Sequence, residues 1–235
     1  MKTTLQTPAS RFPHSISVPS AIAVAGFSTL LTAAELRFLP VSQELAERKM
    51  ALLDAKGTTE LMDLSAVKRS KTYTVKEGET PLGLVALDRE RPGGKPSGVE
   101  LTIPEGMESP LVLVFPDADN AAGFRAVVVE DSVAGFPWGT LRFVNTTEKA
   151  LTLRCDKDSK LVPASHSVVD LAPGGEARNI GVQLTPENGP EEVLYSAVWE
   201  HDPNLRKLVF ILGDGNEATA ELTLAIIPQD KRAKD

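Results

Sequence analysis

The chain has 235 residues, of which 42% are hydrophobic and 24% are charged, with a formal net charge of −7 at pH 7. This composition is typical of a globular protein with a buried core, and it excludes disordered, collagen-like and disulfide-dense chains. The acidic balance, with no segregated basic patch, argues against nucleic acid and anionic membrane surfaces as partners.

Residues 1–34 have the layout of a secretory signal peptide. They contain no acidic residue, carry Lys2 and Arg11 early, and pass through an apolar stretch at 21–31 to three small residues at 32–34. The apolar stretch is well short of the roughly 20 residues that a transmembrane helix needs. We predict cleavage after residue 34 and a soluble product in the periplasm or outside the cell. An ordinary buried N-terminal helix is the alternative.

Cleavage would shorten the chain from 235 to 201 residues and change the formal charge from −7 to −9, because the leader carries two basic residues and no acid. Cys155 would then be the single cysteine in an oxidising compartment, which excludes an internal disulfide. Cys155 shares a strand face with Leu151 and Leu153. This alternation predicts a buried, inert thiol rather than a nucleophile.

Beyond the leader, apolar residues alternate with polar ones, which predicts strands with one solvent-facing side. The segments with this pattern are 99–103, 141–143, 180–184, 193–199 and 220–226. Two further runs, 111–115 and 208–212, are apolar at every position and therefore predict central strands that are buried on both faces.

One segment, 43–54, is open to two interpretations. Its composition allows a helix, but residues 49–54 and 58–64 around the Lys56-Gly57 turn also fit a hairpin.

Roughly fifteen short strands at turn spacings of about 8 to 12 residues are typical of β-sandwiches, and one such sandwich uses about 100 residues. We therefore predict an all-β fold with two tandem immunoglobulin-like β-sandwich domains after the signal peptide. The predicted domains are 35–131 and 132–228, followed by a charged tail at 229–235.

Internal echoes support a tandem repeat. Leu-Arg-Phe occurs at 36–38 and again at 141–143, and the run at 111–117 resembles that at 208–214. A third echo relates Met62-Asp63-Leu64 to Val169-Asp170-Leu171. The predicted join lies near 131–140, where Gly135-Phe136-Pro137-Trp138-Gly139 interrupts the alternation.

Several of these motifs carry a resemblance to a known family. The relevant residues are Glu130-Asp131-Ser132, Phe136-Pro137-Trp138-Gly139, the run 142–147, Tyr195-Ser196, Trp199, Asp202-Pro203 and the run 208–211. Over about residues 110–215 the chain resembles a family of uncharacterised secreted bacterial β-proteins. Its Arg-Phe-Val-Asn element is also similar to bacterial immunoglobulin-like surface repeats of unknown function. The resemblance implies an exported β-sandwich and brings no catalytic assignment.

The residues that could carry chemistry are few. Beyond the leader, the histidines are His166 and His201, and neither has the spacing to Cys155 that a zinc or blue-copper site requires. We predict no catalytic residue, no metal site and no cofactor. Glu200-His201-Asp202 is the cluster with the most reactive residue types, and His201 could act as a general acid or base, but we favour a capped turn after a strand.

Two acidic loops, 117–120 and 156–158, place carboxylates two residues apart, as calcium loops do. Neither loop completes an EF-hand, and Asp and Asn are also common in turns. We expect turns here, with calcium as the alternative.

Three further residues are predicted to act at the domain join. Trp138 lies in a loop bounded by Pro and Gly, so its ring is either tucked into the interface between the domains or exposed to a partner. Arg142 points away from Leu141 and Phe143 and could form a bidentate pair that fixes the join. Asp131 is the proposed acceptor, with Glu130 and Asp202 as alternatives.

These observations favour an exported, non-catalytic protein of envelope structure or assembly, whose partner is another envelope protein. The alternative is a ligand-binding module that contacts glycan or peptide near Trp138 or at an open sheet edge. A hydrolase around His201 is a third hypothesis.

Overall fold

The computed structural model describes residues 33–76, 78, 80–90, 93–189, 192–213 and 222–233. The predicted signal peptide lies outside these residues except for Ala33 and Ala34. Those two residues begin the first strand, β1 (Ala33–Pro40), where they pair with Lys76 and Val75. Cleavage after Ala34 would therefore remove the first two residues of β1.

The first eight strands form one β-sandwich, called the first sandwich below. After β1 they are β2 (Met50–Asp54), β3 (Gly57–Glu60), β4 (Tyr73–Lys76), β5 (Gly83–Glu90), β6 (Pro96–Glu100), β7 (Pro110–Pro116) and β8 (Phe124–Glu130). One sheet has the order β4-β1-β7-β8 and the other has the order β3-β2-β5-β6.

The other eight strands form the second sandwich. They are β9 (Leu141–Asn145), β10 (Leu151–Cys155), β11 (Asp158–Val162), β12 (Ser167–Leu171), β13 (Arg178–Pro186), β14 (Tyr195–His201), β15 (Leu205–Gly213) and β16 (Leu222–Asp230). Its sheets have the orders β12-β9-β15-β16 and β11-β10-β13-β14, which repeat those of the first sandwich strand for strand.

The prediction of two β-sandwiches is therefore confirmed. The strand order differs from that of an immunoglobulin domain. The first and second strands of each sandwich lie in different sheets. In an immunoglobulin domain those two strands share one sheet. Here the first strand instead runs parallel to the seventh, as β1 with β7 and β9 with β15.

Strand register supports two of the three sequence echoes. Arg37 pairs with Leu111 across β1 and β7, and Arg142 pairs with Leu208 across β9 and β15. The third echo is wrong, because residues 169–171 lie in β12 whereas residues 62–64 fall between β3 and β4.

Both interpretations of segment 43–54 are partly right. A single helical turn, α1 (Gln43–Ala46), begins where the Ser42 side chain accepts a hydrogen bond from the backbone of Leu45. The chain then enters the β2–β3 hairpin, whose turn is held by the Asp54 carboxylate.

Some predicted boundaries differ from those observed. The strand predicted at 99–103 lies at Pro96–Glu100, and the one predicted to start at 193 starts at Tyr195. The predicted tail begins within β16, which continues to Asp230, so the second sandwich extends past residue 228.

The two sandwiches share a hydrophobic core. The cluster of buried side chains that fills the first sandwich continues into the second at Val144, Leu208, Phe210 and Ile227. Sequence neighbours of these residues, such as Val209, face the other way into a second cluster inside the second sandwich. The sheet that contains β9, β15 and β16 therefore has apolar side chains on both faces. The strands β7 and β15 are buried on both faces, as the sequence predicts.

Among the described residues, no helix has the length and apolar character needed to cross a bilayer.

Candidate functional site

The segment that joins the sandwiches is anchored by a buried carboxylate. The side chain of Asp131 is 1% exposed and accepts two hydrogen bonds from Arg69, at 2.7 and 2.8 Å. Arg37 donates a third at 2.9 Å, and Arg206 lies 3.8 Å away. Since buried charges need charged or hydrogen-bonding partners, this arrangement fixes the start of the joining segment.

The three arginines come from separate parts of the chain. Arg37 is in β1, Arg69 is in the connection between β3 and β4, and Arg206 is in β15 of the second sandwich. Burial lowers the pKa of Arg206, the Asp131 charge opposes this effect, and the neighbouring arginines lower the pKa further. Asp131 therefore offsets much of the repulsion among clustered positive charges.

Two arginines also contact the middle of the joining segment. The guanidinium carbons of Arg142 and Arg206 lie 4.3 and 5.0 Å from the ring centroid of the fully buried Phe136. Arg206 also donates to the backbone oxygen of Phe136 at 2.9 Å, and Arg142 donates to that of Gly135 at 2.7 Å. The segment is thus held by side chains of the second sandwich.

The predicted pair of Arg142 with Asp131 is replaced by two neighbouring networks. Arg142 makes its bidentate pair with Asp170, at 2.7 and 2.6 Å, because Asp170 lies directly across from it on β12. Arg142 still contacts the join, since it donates to the backbone oxygen of Glu130. Both residues therefore act at the join, but with partners other than each other.

Glu130 holds the adjoining backbone. Its carboxylate accepts hydrogen bonds from the backbone nitrogens of Glu108, Ser109 and Ser132 at 2.7–3.0 Å. Burial raises the pKa of Glu130, but these bonds outweigh that effect and the pKa is lowered.

Trp138 is half-buried in the same segment, with its ring centroid 5.1 Å from the guanidinium carbon of Arg206. The ring is thus partly packed into the join, and part of its surface remains accessible.

His201 packs against the other end of this segment. It is 2% exposed, and its Nε2 has no hydrogen-bond partner among the described residues. Burial lowers the pKa of His201, and the charges of Arg178 and Lys207 lower it further. Gly139, whose φ of +79° favours glycine, lies against the ring, and a Cβ there would be 3.7 Å from His201 Cε1.

The acid that follows His201 has a turn-forming role. Asp202 accepts hydrogen bonds from the backbone and side-chain nitrogens of Asn204, at 2.8 and 3.1 Å, and pairs with Arg232. The capped-turn interpretation of residues 200–202 describes this geometry.

His166 lies elsewhere, beside a cavity of about 650 Å³. Its ring contacts Phe115 edge-on, with the centroids 4.4 Å apart, and its Nδ1 is buried without a partner among the described residues. Burial lowers the pKa of His166, as does the charge of Arg125, so the ring is neutral at pH 7.

Cys155 is buried on the same strand face as Leu151 and Leu153. Burial raises the pKa of its thiol, with a further contribution from Asp156. A thiol in this environment is a poor nucleophile.

The two acidic loops form turns. In the first, Asp117 accepts from the backbone of Asp119 and pairs with Arg125. In the second, Asp156 accepts from the backbone of Gly181 and pairs with Arg178. Within the part of the chain that the structure describes, no three His, Cys, Asp or Glu residues are grouped so as to hold a metal ion.

The sequence did not single out Arg37, Arg69 and Arg206. The repeated Leu-Arg-Phe motif contained a signal for Arg37, because it equates Arg37 with Arg142. No protein-family model matches the chain, and no curated protein matches it.

Proposed function

We propose that the chain is an exported, non-catalytic protein of the cell envelope that serves as a rigid two-sandwich scaffold for another envelope protein. The observation that carries this proposal is the way the sandwiches are joined. They share one core, and Asp131 is buried among arginines from both of them. Such a join resists hinge motion and keeps the outer surfaces in a fixed relation.

The non-catalytic part of the proposal is supported by the partners of the ionisable groups. Asp117, Asp156 and Asp202 are engaged in turns and arginine pairs, and Asp131 anchors the join. His201 packs into the join. These structural roles include those of His201 and Asp202, around which the hydrolase hypothesis is built.

The outer strand β14 offers a surface for a protein partner. It ends its sheet, and Val198 on it is 73% exposed. Edge strands with accessible apolar side chains are recurrent sites for strand addition and protein contact.

Export and partner contact can be tested in one strain. Cell fractionation and N-terminal sequencing of the C-terminally tagged full chain should yield a product shortened by the leader, in the periplasm or the medium. A photo-crosslinking amino acid at Val198 should give one stoichiometric adduct, whereas the same group at the exposed turn residue Lys157 should give none. An unprocessed cytoplasmic chain would contradict export, and equal adducts at both positions would contradict the docking role.

A further inference from the structure

A cavity at the seam between the two sandwiches has the character of a binding site. It is a cavity open to solvent, with a volume of about 650 Å³ that lies within the range of small-molecule sites. The first sandwich contributes Asp117 and Arg125, and the second contributes Glu148 and His166. We propose that this cavity binds an uncharged, hydroxyl-rich molecule of monosaccharide or disaccharide size. The proposal does not depend on the scaffold function.

The backbone at His166 has an uncommon conformation. Ser165 and His166 both have positive φ, at 62° and 67°, which costs energy for residues other than glycine. The ring packs on Phe115 and its Nδ1 is buried, so Nε2 is the ring nitrogen left to meet a ligand. This backbone conformation places an edge of the imidazole at the cavity.

Arg125 and Asp117 supply a polar pair in the same lining. Both Nε and Nη2 of Arg125 lie 3.0 Å from the same oxygen, Asp117 Oδ2. Arg125 Nη1 makes no hydrogen bond to any described residue, and the side chain is 47% exposed. The pair is neutral as a unit and keeps a donor free for a ligand.

The charges of the lining favour an uncharged ligand. The lining carries the carboxylates of Asp117 and Glu148 together with the guanidinium of Arg125, so an anion and a cation would each meet a like charge there.

Hydroxyl groups suit this lining because each one both donates and accepts hydrogen bonds. They can accept from Arg125 and His166 and donate to Glu148. Leu212, which is half-buried, adds apolar surface for the carbon skeleton of a sugar or cyclitol.

The test is a titration of the full chain followed by the NMR signals of the histidine rings. The hydroxyl-rich probes are D-glucose, maltose and myo-inositol, and the charged probes are acetate and ethanolamine. At least one hydroxyl-rich probe should shift the His166 signals saturably below about 50 mM, a weak but measurable affinity. The His201 signals should stay fixed, since His201 lies outside the cavity.

Two arginine variants locate the site. Arg125→Gln should weaken binding by about tenfold or more, whereas Arg178→Gln should leave it unchanged. Arg178 is a matched control because it also forms an exposed arginine–aspartate pair, at 3.1 Å, away from the cavity. Glu148→Gln, at an exposed position, is a second variant that should weaken binding without a risk to folding.

Three results would overturn the proposal. The first is no saturable shift with any hydroxyl-rich probe, and the second is binding of a charged probe in their place. The third is equal binding by the wild type, Arg125→Gln and Glu148→Gln, which would place the ligand elsewhere.

Discussion

Phe115 and Phe210 meet edge to face, with ring centroids 5.8 Å apart and an interplanar angle of 82°. Both rings are fully buried, and they belong to β7 and β15, the equivalent central strands of the two sandwiches. The contact therefore joins the two repeats through the strands that are most buried in each of them. It makes the apolar core continuous from the first sandwich into the second.

Because the core is continuous, we expect the sandwiches to unfold together. Phe210→Ala should lower the free energy of unfolding by about 3–5 kcal/mol and preserve a single transition. Urea unfolding followed by tryptophan fluorescence and by far-UV circular dichroism should give coincident curves.

A double-mutant cycle tests the coupling. Phe115→Ala combined with Phe210→Ala should deviate from additivity, whereas Phe115→Ala with Val209→Ala should be closer to additive, because Val209 faces the second core. Two separated transitions in the wild type would contradict a shared core.

The buried carboxylate at the join should matter more than any surface pair. Asp131→Asn removes the charge that compensates Arg37, Arg69 and Arg206, and should cost about 3–5 kcal/mol of unfolding free energy. Chemical denaturation measures this loss.

The matched control for Asp131 is Asp88→Asn. Asp88 also accepts two hydrogen bonds from one arginine, Arg48, at 2.8 and 2.7 Å, but near the surface. That variant should lose less than about 1 kcal/mol. Equal losses in the two variants would mean that burial of Asp131 adds nothing to its role.

Stability should fall when the solution becomes mildly acidic. Burial lowers the pKa values of His166 and His201 below the ordinary value of 6.5, so between the lowered values and 6.5 the unfolded chain binds more protons than the folded one. The stabilising contribution is complete above about pH 6.5 and is lost as the pH falls through the lowered values.

Urea unfolding between about pH 7.5 and 5 measures this dependence. The double variant His166→Gln, His201→Gln should show a shallower decline in that range. An unchanged pH profile in the double variant would assign the decline to other groups.

The thiol of Cys155 should report on unfolding. Because burial raises its pKa and limits access, iodoacetamide should label it only as fast as the protein opens. Labelling should accelerate in Asp131→Asn, which weakens the join, and should change little in Asp88→Asn. Rapid labelling of the wild type at neutral pH would contradict burial of Cys155.

The strand framework could be predicted because its signals are local. The runs at 111–115 and 208–212 are apolar at every position, and a strand buried on both faces is what this pattern requires. The Leu-Arg-Phe repeat similarly marked β1 and β9 as equivalent strands.

The partners of the joining residues could not be predicted, because they depend on contacts between distant segments. Asp131 meets Arg37 and Arg69 across 94 and 62 positions of sequence. Arg142 meets Asp170 through the register of β9 and β12. Alternation shows which face a side chain occupies, but it does not show which residue lies opposite.

The cavity beside His166 could not be predicted for the same reason, because it also depends on contacts between distant segments. Its lining comes from strands and loops of both sandwiches, so it exists only once the two are packed together. In the sequence, residues 165–167 showed only a histidine between two serines.

The core that the two sandwiches share also has a consequence for the chain during its synthesis. A chain that emerges from its N-terminus completes β7 well before β15, since Leu111 and Leu208 are 97 positions apart. During that interval the face of β7 that Phe210 later covers is open to water or to other chains. A chaperone has this interval in which to protect the incomplete protein, and the need for protection ends when β15 and β16 have been added.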